Sequence, residues 1–157
     1  MSQSDPSLSP LMALLSQAER ERDEALAQAR RAEASQAAAV GQVEQLVAYR
    51  LDCESRYREQ FSRQSSVDRF QTYQGFMGRL TMAVDQQQLV VDNAARRAEA
   101  AREAVREQEL RVASVRKLIE RRLAELRLAA DRRDQKQTDE FASRAAWSRL
   151  DERRLSA

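Results

Sequence analysis

Residues 77–126, MGRLTMAVDQQQLVVDNAARRAEAAREAVREQELRVASVRKLIERRLAEL, decide the fold. Every seventh residue from Met77 is apolar: Met77, Val84, Val91, Ala98, Val105, Val112, Ile119 and Leu126. A companion series begins three residues later with Leu80, Gln87, Ala94 and Ala101 and continues through Gln108, Val115, Arg122 and Ala129. Apolar residues that alternate at spacings of three and four line one edge of an α-helix. Held over many heptads, such an edge is a coiled-coil seam. At about 1.5 Å per residue, the stretch from Met77 to Ala129 predicts a rod of roughly 80 Å.

On the N-terminal side the pattern stops at residues 62–66, Ser-Arg-Gln-Ser-Ser, which hold no apolar side chain. Ser65 followed by Asp68 fits a capping box, with Asp in place of Glu. The second helix is therefore expected to begin near Ser66 or Val67. Before the break lies another seam: Leu11, Ala18, Ala25, Ala32, Ala39, Leu46 and Cys53, interleaved with Leu15, Arg22, Ala29, Gln36, Val43, Arg50 and Tyr57. Ser9 and Pro10 read as N-cap and first helical residue, where proline loses no needed hydrogen bond. On the C-terminal side the phase blurs over residues 131–136, and a last helical piece carries Phe141, Trp147 and Leu150. The expected organisation is a disordered tail over 1–8, a first long helix over 9–62 and a turn at 63–66. A second long helix over 67–150, with a possible break near 131–137, precedes a frayed end at 151–157.

Composition agrees with an all-α chain. Of 157 residues only three are Gly and two Pro, too few to turn the strands of a compact sheet protein. There is no histidine, so no His base, Ser-His or Cys-His pair, or His-ligated zinc is available. One cysteine, Cys53, makes no internal disulfide and no thiolate cage. Gly75 and Gly78 lack the spacing of a phosphate-cradling loop. The carboxylate pairs Asp139-Glu140 and Asp151-Glu152 sit in charged stretches where nothing dries a site. These features predict a non-enzyme with no cofactor and no metal. The longest apolar run, Leu11-Met12-Ala13-Leu14-Leu15, is far short of the roughly 20 residues that span a bilayer. No Lys or Arg precedes Arg20, so a basic secretory leader is not expected and the cytoplasm is the default address.

Neither helix can bury its seam alone, and one break invites an antiparallel hairpin. A turn centred there pairs residue i with about residue 129 − i. Gln42, Leu46, Tyr49 and Cys53 then face Gln87, Ala83, Leu80 and Phe76, with 4-3-4 spacing on both sides. Leu46 and Leu80 read as core, whereas Tyr49 and Phe76 read as an exposed aromatic patch of the kind that marks partner sites. Leu11 falls opposite residue 118, so residues 119–157 have no partner within the hairpin, although Ile119, Leu126 and Ala129 continue the seam. That overhang is expected to enter another protein. Residues 111–136 hold nine basic and four acidic side chains, which reads either as a solvated face or as a docking surface for an acidic protein. Nucleic acid is not expected as a partner, because acids interrupt the run and no stacking aromatics lie in it. Trp147 reads either as a cap on the overhang or as an interface anchor.

Three segments carry a resemblance: residues 42–49 (QVEQLVAY), 73–84 (YQGFMGRLTMAV) and 134–146 (DQKQTDEFASRAA). Together they resemble the FliJ family of the bacterial flagellar type III export apparatus. The resemblance implies a two-helix antiparallel coiled coil similar to the stalk of rotary ATP synthases. It implies insertion into the ring of the export ATPase FliI, contact with the export-gate protein FlhA, and binding of export chaperones such as FlgN and FliT. It also implies a cytoplasmic protein that reaches the inner membrane at the flagellar base only through the gate, in the service of motility and chemotaxis. The family's gate-binding surface carries over onto Gln42, Leu46, Tyr49, Phe76, Leu80 and Ala83. Cys53 stands where an aromatic is usual and Gln87 where a histidine is, so these two form its departing edges. By analogy with the stalk, Leu11, Leu14, Leu15, Ile119 and Leu126 would enter the ATPase. The alternatives are the equivalent stalk of a virulence secretion system and a parallel homodimeric scaffold.

Overall fold

The computed structural model describes residues 5–63 and 66–156. It holds two helices, α1 (Ser9–Arg63) and α2 (Val67–Leu155), and no strand among the described residues. The expected all-α antiparallel hairpin is what the chain forms. It divides into two compact units, one of Met1–Ala18 with Arg111–Ala157 and one of Glu19–Leu110. Each is described by itself.

The inner unit, Glu19–Leu110, contains the reversal. α2 starts with Ser66 as its cap, since the Ser66 hydroxyl accepts a 3.3 Å hydrogen bond from the Arg69 backbone N–H. The Ser66 carbonyl accepts the first helical bond, from Phe70 at 3.1 Å. Ser65, expected to cap, lies outside the described residues, as does Gln64. A cluster of rings closes the hairpin beside the reversal: Tyr57 and Tyr73 have centroids 4.1 Å apart, and Phe61 meets Phe70 and Tyr73 edge-on at 5.8 Å each. Farther along, Ala29, Ala39 and Cys53 of α1 and Leu80, Ala94 and Ala98 of α2 are buried. The antiparallel register is fixed by a 2.8 Å hydrogen bond that the Gln87 amide donates to Gln42 Oε1, as pairing about a turn at 64–65 predicts. On the other edge, Arg102 Nε donates to Glu33 Oε1 at 3.0 Å. Alanine buries little surface, so at about 25 cal/mol per Å² this seam contributes modestly per layer. Leu80 supplies the bulky burial, and Tyr57, Phe61 and Tyr73 add half-buried rings while Phe70 stays exposed.

The outer unit pairs the start of α1 with α2 beyond Leu110. Ala18, Val112 and Val115 are buried, and Leu11, Leu14, Leu15, Ile119 and Leu126 are half-buried. Residues 1–4 of the expected disordered tail lie outside the described residues. Asp5 to Leu8, by contrast, form a hydrogen-bonded turn: the Asp5 carboxylate accepts from the Ser7 backbone N–H at 2.8 Å and the Asp5 carbonyl from Leu8 N–H at 2.9 Å. The Leu8 carbonyl then accepts from Met12, so Leu8, not Ser9, takes the cap position of α1. Arg122 Nε reaches back to Ser7 Oγ at 3.1 Å. This turn extends the cover of α2 past residue 118, where the sequence led us to expect it to end.

Two further expectations are corrected. α2 runs without a break through residues 131–137, and it remains helical over 151–155 instead of fraying. Arg, Gln and Lys favour helix regardless of any seam, and Thr138 adds a side-chain bond to the Asp134 carbonyl at 2.9 Å. A blurred heptad removes a packing edge, not a helix. From Arg127 to Ser156 every side chain except Ala145 is exposed.

Candidate protein-interaction surfaces

The eight residues carried over as a gate-binding surface all lie in the inner unit. They differ in availability. Leu80 and Cys53 are buried, and Leu46, Ala83, Phe76 and Gln87 are half-buried. Tyr49 is 49% exposed and Gln42 is exposed. The Tyr49 and Phe76 rings meet edge-on across the two helices, with centroids 6.3 Å apart at 84°. Beside them, Gln42, Gln45, Leu46, Tyr49 and Gln87 line a shallow furrow of about 400 Å³. Gln87 spends its amide on Gln42 and, at 3.4 Å, on the Ala39 carbonyl, so it locks the register as well as forming a wall. The hydrogen bond between Tyr49 and the Cys53 side chain one turn on, with the charge of that thiol when ionised, holds the phenol above its usual range.

The second candidate set, Leu11, Leu14, Leu15, Ile119 and Leu126, lies together in the outer unit. Each is half-buried, with Met12 and Leu118 exposed beside them. Its polar clasp is the Asp5–Ser7–Arg122 chain. Hydrogen bonds from Ser7 hold the Asp5 carboxyl below its usual range, helped by the charges of Arg122 and Arg133. The sequence reading missed this clasp, because nothing in an Asp-Pro-Ser tail announces a partner more than a hundred positions away. It also missed the ring cluster of Tyr57, Phe61, Phe70 and Tyr73. There a signal exists: aromatics at i, i+4 and at i, i+3 flank the apolar-free break on both sides.

Among the described residues no group of Cys, Asp and Glu could hold a metal ion, and no helix is long and apolar enough to cross a membrane. What the geometry offers is helix faces: a ring pair beside a furrow in one unit, and a leucine-rich edge followed by a bare helix in the other. Residues 7–151 match the family described as flagellar FliJ protein, nearly the whole chain. The chain belongs to the FliJ family. No curated protein matches it in sequence. Membership makes it a flagellar export-related coiled-coil protein. It also accounts for the long helical hairpin seen here.

Proposed function

We propose that this chain is a non-enzymatic stalk of the flagellar type III export apparatus. Its inner unit binds the export gate FlhA, its outer unit enters the ring of the export ATPase FliI, and it escorts export chaperones such as FlgN and FliT. In this reading it works in the cytoplasm and reaches the inner membrane only through the gate. The observation that carries the reading is the ring pair of Tyr49 and Phe76. It is left partly open beside seams whose residues in the inner unit are buried or half-buried. Exposed aromatics over a buried aliphatic floor are the usual anchors of protein interfaces. The mechanism is mechanical: a stiff helical pair couples the states of one partner to another, and catalysis belongs to the ATPase.

The test uses Tyr49→Ala with Phe76→Ala, which spares the buried Leu80. Binding to the cytoplasmic part of FlhA is expected to fall at least about tenfold, a typical cost for two anchors, while FliI binding and helical circular dichroism stay unchanged. An unchanged FlhA affinity sinks the gate assignment. Loss of helicity would make the two rings core and not site.

A further inference from the structure

Charge is not spread evenly around the inner unit. The chain is 33% charged, yet over Arg31–Tyr49 of α1 and Arg79–Arg97 of α2 one face carries no acid. On α2 this face runs through Arg79, Ala83, Gln86, Val90, Asn93 and Arg97. Arg79 and Arg97 are eighteen residues apart, which is five turns at 3.6 residues each, so they stand in the same angular position about 27 Å apart. The two acids between them, Asp85 and Asp92, point about 120–140° away around the helix. On α1 the matching face runs through Ser35, Ala38, Gln42, Gln45 and Tyr49, with Arg31 one turn beyond. The acids of that stretch, Glu33 and Glu44, lie on the opposite side, where Glu33 meets Arg102. Among the described residues no ion pair joins Arg79 or Arg97 to a carboxylate.

The same face is grooved. Ala38, Ala39 and Ala94 sit in a furrow of about 340 Å³ walled by Val90, with Arg97 also on its lining. This furrow shares Gln42 with the one beside Tyr49. Val90 is 49% exposed. A groove between two helices, with small side chains where a third helix axis would approach, accepts the side-chain ridge of such a helix. Depletion of charge at the centre, with arginines at the ends, is the composition of a protein interface.

We propose that this acid-free face seats an amphipathic α-helix of a partner protein, with its apolar ridge over Ala38 and Val90 and carboxylates about five turns apart on Arg79 and Arg97. The helix belongs to the partner that docks on Tyr49 and Phe76, and on that point alone the inference rests on the gate-binding reading. A lipid surface is disfavoured by the flat run of amides, and a nucleic acid by the spacing of only two or three cations over the whole face.

The full-length chain is titrated with two synthetic amphipathic helices of about nineteen residues. They share one leucine ridge and differ in bearing glutamate or lysine at both ends. The same titrations are run on the double variant Arg79→Glu/Arg97→Glu, whose positions are exposed and leave the seam intact. The glutamate helix is expected to bind the wild type about tenfold tighter than the lysine helix, and the order to reverse on the variant. Amide exchange should slow at Val90 and Asn93. Equal affinities, or a preference that survives charge reversal, overturn the proposal. FlhA is measured in parallel. FlhA binding that is lost with Tyr49 and Phe76 but indifferent to the charge reversal also overturns it, and leaves the gate reading standing. Charge-selective helix binding with no FlhA binding supports the face and removes the gate as its partner.

Discussion

At the scale of single residues, the inner unit ties an exposed ring to a buried thiol. Tyr49 is neutral-favoring because its hydroxyl bonds the Cys53 side chain, which holds its pKa above the ordinary 10.0. A group whose folded pKa is raised contributes stability fully below its unfolded value and loses it as pH climbs through the folded one. An alkaline spectrophotometric titration is therefore expected to show Tyr49 ionising late, and Cys53→Ala to return it to the usual range. Leu80 and Ser66 test packing and capping separately. Leu80→Ala should cost about 2–4 kcal/mol, as a buried leucine does, and Ser66→Ala about 1 kcal/mol, both read by urea denaturation. The burial of Leu80 and the exposure of Tyr49 were legible in the sequence, since heptad position alone separates an inward leucine from a flanking ring. The cap was not, because Ser65 and Ser66 have equal chemistry and only the backbone path decides which hydroxyl reaches Arg69. The Asp5–Ser7–Arg122 clasp was not legible either, since it depends on two distant segments meeting.

At the scale of elements, the two helices obey their seams until the seams run out. Every position of both α1 series is buried or half-buried, as is every position of both α2 series except Ala129. That success has a simple cause: a heptad edge must be covered, and one break leaves one way to cover it. The misjudged break at residues 131–137 has the opposite cause. There, loss of periodicity reports loss of a neighbour, and periodicity says nothing about helix propensity. Because residues 127–156 bury almost nothing, deleting residues 127–157 is expected to leave the melting midpoint within about 3 °C of the intact chain. The deletion should still remove helical signal. A midpoint that drops by ten degrees or more would mean that the bare helix stabilises the hairpin.

At the scale of the whole molecule, the net charge of +2 conceals a separation. The outer unit holds thirteen basic and nine acidic residues, the inner unit fourteen basic and sixteen acidic. The ion pairs that cross from helix to helix or step along α2 put specific carboxylates at risk in acid. Bonds from Arg106 and then Arg102 hold Glu99 below its usual range, as those from Ser7 hold Asp5. A depressed folded pKa gives stability that is complete above the unfolded values of 4.5 and 3.8 and is lost as pH falls through the folded ones. Thermal midpoints are thus expected to be flat from neutrality to about pH 5 and to decline below about pH 4. Replacing Glu99 with Gln should make that decline shallower. Cys53 adds a consequence of a different kind. It is the only thiol in the chain and is 8% exposed, inside the hairpin and one turn from Tyr49. An alkylating reagent is expected to reach it chiefly when the two arms part, so its labelling rate times the breathing of the hairpin, and a ligand that clamps the arms together is expected to slow that clock without any engineered probe.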